Sequence, residues 1–210
     1  MGIANRRSAM TLYSGASCAY SHRARIVLAA KAITYDVVDI DSSPKALEEL
    51  ASLNPYGTIP TLLDRDLVIY NSDIIMEYLD ERFPHPPLLP VFPVSKAKTR
   101  VAIHRINEDW YTQMRIILNS NASVGEVEAA RKSLTDSLTS ITPVFVEMPF
   151  FLSEEFTLID CCMAPLLWRL ELMQIKLPAP AKAVLDYAHR LFELECFQKS
   201  LTEKERTMRW

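Results

Sequence analysis

The chain has 210 residues, 49% hydrophobic and 23% charged, with a formal net charge of −3. That balance is ordinary for a globular protein, long enough to bury a core without staples and to hold one large domain or two small ones. It excludes a globally basic nucleic-acid binder, and no direct sequence-specific DNA binding is expected. Taken in chain order, Ala9 to Tyr13 reads as a strand and Tyr20 to Lys31 as a helix, with Ile26, Val27 and Ala30 among basic residues. Tyr35 to Ile40 is a β-branched strand, and Pro44 to Leu53 a short helix with proline in its first turn. Ile59 to Leu63 and Leu67 to Tyr70 are strands joined by a hairpin-length turn. Asn71 to Arg82 is helical, with Ile74, Ile75, Tyr78 and Leu79 on one stripe. The order βαβαββα predicts a thioredoxin-like domain over residues 1–83.

The next segment, FPHPPLLPVFPV (Phe83–Val94), holds five of the 13 prolines between Pro84 and Pro93. Proline fixes φ and removes a donor, so neither a helix nor a central strand survives there. Residues 84–94 are therefore predicted to be a stiff linker. Residues 95–210 then form an all-helical domain. Ser95 to Asn119 carries Ile103, Ile106, Trp110, Met114 and Ile117 at helical spacing. Val124 to Val146 follows, and Thr157 with Asp160 forms a capping box opening another helix. Ala181 to Glu193 and Thr202 to Met208 complete the helical set.

The four cysteines, Cys18, Cys161, Cys162 and Cys196, show no Cys-x-x-Cys spacing, so no metal and no cofactor is expected. The opening MGIANRRSAM lacks an apolar stretch, and no run approaches the ~18–20 apolar residues that span a bilayer. A cytoplasmic location with reduced thiols and no membrane partner is the expectation. Cys18 stands just before a helix, where the positive end of the dipole favours a thiolate, with His22, Arg23 and Arg25 close in sequence. Tyr13 and Tyr20 are read as packing residues with hydroxyls at a rim, and His104 and His189 as structural or surface residues. Lys96, Lys98, Arg100 and Arg105 open a helix with no acid before Glu108, which is either a solvated face or a contact for an anionic partner.

Two segments, NPYGTIPTLLD (Asn54–Asp64) and YNSDIIMEYLDERFP (Tyr70–Pro84), together with the Thr157/Asp160 box, resemble the glutathione transferases. The resemblance implies a thioredoxin-like α+β domain followed by an all-α domain, with a cis proline at Pro60. More narrowly, IIMEYLDERFPHPPLLPVFPV, HRINEDWYTQM, ARKSL and APLLWRL resemble the stringent starvation protein A family of bacteria. Its members carry the transferase fold, associate with RNA polymerase and act in transcription under stress, and they are not known as transferase enzymes. The resemblance implies a homodimer that contacts RNA polymerase holoenzyme, including its sigma subunit, through Pro84, His85 and Pro86, with Tyr78, Asp80, Glu81 and Phe83 beside them. It also implies that Cys18, Ile59, Pro60, Asn71 and Ser72 are the remnant of a glutathione site, with no catalytic residue. Ala19 stands where such a site has proline, Ser21 where a second thiol would be, and Asn71 where an acid would be. The alternative is a glutathione-dependent monothiol transferase or reductase using Cys18, and a weaker one is a regulator that senses a small anion.

Overall fold

The computed structural model describes residues 10–42 and 44–208. Ala9, the first residue of the first expected strand, lies outside them. The chain divides into two compact units: residues up to Pro86 together with Glu195–Thr207, and Pro87–Leu194.

The first unit runs β1 (Thr11–Ser14), α1 (Ala19–Ala30), β2 (Asp36–Asp39), α2 (Pro44–Leu53), β3 (Thr61–Asp64), β4 (Leu67–Tyr70) and α3 (Ser72–Arg82). The sheet order is β2-β1-β3-β4, with β1 parallel to β2 and antiparallel to β3. β1 is central and wholly buried, as its run of apolar and small residues demands. β2 is an edge strand that exposes Asp36 and Val37, and its acids discourage pairing with another chain. Leu12, Ile26, Leu28, Leu62, Ile75 and Leu79 fill the core, each with no exposed surface.

The division differs from the expected one at the C-terminus. Helix α10 (Glu195–Ser200), absent from the sequence reading, packs on α1, and α11 (Glu203–Arg206) follows it in the same unit. Phe197, 1% exposed, lies against the His22 ring with centroids 5.2 Å apart. Burying such a ring is worth about 1.5–3 kcal/mol, enough to retain a six-residue helix that would not persist alone.

The second unit contains α4 (Pro93–Arg105), α5 (Thr112–Ile117), α6 (Val124–Ser140), α7 (Thr142–Glu147), α8 (Leu158–Trp168) and α9 (Lys182–Glu193). The single helix expected over Ser95–Asn119 begins at Pro93 and is interrupted by a π-helical turn, Ile106–Tyr111. The extra residue rotates the apolar stripe, so that Tyr111 is buried beside Trp110 and its hydroxyl donates to the Cys162 carbonyl at 2.8 Å. The helix expected over Val124–Val146 breaks at Ile141, because Pro143 has no N–H for the carbonyl of Thr139. The Thr142 hydroxyl donates to that carbonyl instead, at 2.7 Å. The Thr157/Asp160 capping box is present, and Asp160 also accepts from the Phe151 N–H at 3.0 Å and the Tyr187 hydroxyl at 2.6 Å. Burial raises the Asp160 carboxyl above its ordinary pKa despite these donors, and burial beside Asp160 pushes the Tyr187 hydroxyl well above its own.

Candidate functional site

Two groups of residues singled out in the sequence lie in the first unit. The first surrounds Cys18, the N-cap of α1, whose sulfur accepts from the Ser21 N–H at 3.5 Å. A Cβ added at Gly15 would stand 2.7 Å from Ile59 Cδ1 and 3.2 Å from Cys18 Cβ, which places Ile59 and the thiol on one wall. The Ile59–Pro60 peptide is cis, as the resemblance implied. Asn71, at φ 75°, caps α3, and its side chain accepts from the Asp73 N–H at 2.9 Å. Asn71, and not Ser72, is therefore the cap of α3, and Ser72 is buried inside the first turn. With its oxygen on the backbone and no charge, Asn71 has little to offer a ligand ammonium.

The basic residues expected to support a Cys18 thiolate are engaged elsewhere. Arg25 donates to Glu205 at 2.7 Å, to Ser14 at 2.6 Å and to the Ser200 carbonyl at 2.9 Å. His22 lies 2.9 Å from the Ser200 hydroxyl and 3.4 Å from Glu205, and Arg23 pairs with Asp73 at 3.1 Å. Glu205 also caps α11 with Thr202, whose hydroxyl donates to the Ala16 carbonyl at 2.5 Å. The C-terminal segment thus buttresses the loop that carries Cys18. Tyr13 is buried, and Tyr20 lies under the Arg23 guanidinium, 5.3 Å from its ring centroid.

The second group is the linker. Pro84, His85 and Pro86 are exposed, and the His85–Pro86 peptide is cis. Glu81 is exposed, Phe83 is half-buried under Arg82, and Tyr78 donates to Asp64 at 2.7 Å. Burial, with the Asp64 carboxylate second, raises the Tyr78 hydroxyl above its ordinary pKa. Asp80 is not part of the exposed group: it is 7% exposed and pairs with Lys31 at 2.6 Å. Lys31, which the sequence reading did not single out, also donates to the Pro86 carbonyl. A cleft of about 390 Å³ is lined in part by Lys31, Asp64, Arg65, Arg82 and Phe83. Among the described residues no group of three or more His, Cys, Asp or Glu gathers as a metal site, and no helix is long and apolar enough to cross a membrane.

Residues 8–81 match the glutathione S-transferase N-terminal domain family. Among solved structures, the Tau class glutathione S-transferase from mango, Mangifera indica, superposes with a TM-score of 0.83 at 26% identity, covering 96% of each chain. Two curated relatives are stringent starvation protein A homologs. The one from Coxiella burnetii is 48% identical over 205 residues, 97% of each chain. The one from Pasteurella multocida is 48% identical over 199 residues, 94% of this chain and 92% of its own. At this identity over nearly the full length, on a transferase fold, the chain belongs to the stringent starvation protein A family.

Proposed function

We propose that this protein is an RNA polymerase-associated regulator of transcription under stress, acting by protein–protein contact and without transferase chemistry. The observation that carries the reading is the exposed Pro84–His85–Pro86 ridge, in a chain of this family. Its proline-restricted backbone presents His85 with little ordering cost on binding. The neighbourhood of Cys18 supports the absence of catalysis: the nearby cations are paired with Asp73 and Glu205, and Asn71 is occupied as a helix cap. The partner is RNA polymerase holoenzyme including its sigma subunit, and the protein works as a homodimer in the cytoplasm, two ridges raising a modest single-site affinity through avidity.

The test is capture of RNA polymerase holoenzyme by the full chain, beside the triple variant Pro84→Ala, His85→Ala, Pro86→Ala and the variant Cys18→Ser. Loss of capture in the triple variant, with Cys18→Ser unchanged, is the expected result. A wild-type chain that captures no polymerase refutes the reading. One observation favours a second reading, a glutathione-dependent monothiol transferase: Cys18 is partly exposed at a helix N-terminus beside Ile59. Glutathione-dependent turnover that disappears in Cys18→Ser would establish it.

A further inference from the structure

The ridge is poor in ways to hold itself. Of residues 84–87, only His85 is not proline, so the segment offers a single backbone N–H. Apart from that N–H and the His85 side chain, it can be tethered to the fold only through its carbonyls. The first unit supplies such a tether: the Lys31 ammonium donates to the Pro86 carbonyl, one residue beyond His85. The same ammonium pairs with Asp80 at 2.6 Å, with the Lys31 side chain 0% and the Asp80 side chain 8% exposed.

Each partner is fixed by a helix. Lys31 is the C-cap of α1, and its N–H bonds back to the Val27 carbonyl at 2.9 Å. Asp80 lies in the last turns of α3, next to the fully buried Leu79. An ammonium has three protons and no acceptor, so once buried it requires an anion and further oxygens. Asp80 supplies the anion, and the Pro86 carbonyl supplies another oxygen. As a source of stability, a buried ion pair is about break-even against apolar packing of the same volume. What the arrangement supplies beyond that is position, because the ammonium ties two helices of the first unit to one atom of the linker.

We propose that Lys31 and Asp80 are positioning residues for the docking ridge: the pair grips the Pro86 carbonyl and fixes the backbone so that His85 meets the partner in one conformation. This inference rests on the reading that the ridge docks RNA polymerase. Asp80 acts through Lys31 and does not touch the partner, whereas His85 is a contact residue. The two roles separate experimentally. Loss of the contact residue leaves the linker ordered and removes binding; loss of the tether loosens the linker first and weakens binding as a consequence.

The experiment uses the full chain with Lys31→Met, Lys31→Arg, Asp80→Asn and His85→Ala. Two readouts are taken: amide hydrogen exchange over residues 83–92, with β1, the central strand of the unit that holds Lys31 and Asp80, as the internal control of folding, and affinity for RNA polymerase holoenzyme. In Lys31→Met, exchange of the linker amides should rise at least about tenfold with β1 unchanged, because local opening now costs one tether less. Polymerase affinity should fall about tenfold, the ordering cost having moved into binding. Lys31→Arg, which restores a cationic donor, should recover part of both; Asp80→Asn should fall between wild type and Lys31→Met; His85→Ala should lose affinity with linker exchange unchanged. Unchanged linker exchange in Lys31→Met overturns the proposal, and so does faster exchange with undiminished affinity. If Lys31→Met fails to fold, Asp80→Asn carries both readouts. If the wild-type chain does not bind polymerase, the functional reading falls, and the exchange data alone decide whether the pair positions the ridge.

Discussion

Loss of the Glu205 carboxylate should destabilise the first unit strongly. Its side chain has no exposed surface, and it accepts from Arg25 at 2.7 Å and from the Thr202 N–H at 3.1 Å, with His22 at 3.4 Å. Arg25 is itself only 3% exposed. Glu205→Ala would leave a guanidinium buried without its anion, which costs about 3–5 kcal/mol. It would also remove the reciprocal half of the α11 cap. In urea, with m near 2 kcal/mol per M, the midpoint for the first unit should fall by about 1.5–2.5 M at unchanged m. Replacing both partners, Arg25→Met with Glu205→Leu, should cost markedly less than the two single losses added together, since no charge is then stranded. Of the three tryptophans, Trp110 and Trp168 lie in the second unit and Trp210 outside the described residues, so far-UV circular dichroism must be followed beside tryptophan fluorescence. A Glu205→Ala loss below about 1 kcal/mol, or a double variant whose cost equals the sum of the singles, would refute the account of a charge-paired clamp.

Gly15→Ala should cost about 1–3 kcal/mol by overpacking against Ile59, and Ile59→Val in the same chain should recover part of it; strictly additive losses in chemical denaturation would show that the two do not touch. Asp160 has a folded-state pKa above its unfolded one, so the folded state takes up the proton first as pH falls. The stability of wild type relative to Asp160→Asn should therefore grow on acidification from neutrality through the folded pKa, levelling off below the ordinary Asp value; a flat difference would contradict the burial argument. Tyr187→Phe removes the 2.6 Å donor from that buried carboxylate and should lower stability by about 1–3 kcal/mol, measured by the shift in urea midpoint.

Much of the first unit was legible because its signals are local. Proline in the first turn of α2, the short turn between β3 and β4, and the stripe of α3 each lie within a few residues, and the elements appear within about two residues of their expected ends. The exposed Pro84–His85–Pro86 segment was equally legible, since proline dictates its own backbone. In the second unit the apolar stripe correctly identified the buried residues Ile103, Ile106, Trp110, Met114 and Ile117. The same stripe could not reveal the π-helical turn, because side-chain spacing of three and four fits both backbones to within one residue.

By itself, then, the sequence determined the strands and helices of the first unit up to α3, the proline-restricted backbone around His85 and which cysteine stands at a helix start. Only the tertiary structure decided which charges meet. Lys31 and Asp80 are 49 positions apart, and Arg25 and Glu205 are 180 apart. The hydrophobic pattern places a residue on a helix, but it does not state which distant helix that face will cover. The basic residues of α1 read as a flank for Cys18 until α10 and α11 return to bury them, and Asp80 read as an exposed contact until its carboxylate met Lys31. The physical reason is that a lone buried charge is too costly to persist, so the identity of its partner is fixed by packing of the whole unit and not by any neighbouring stretch of chain.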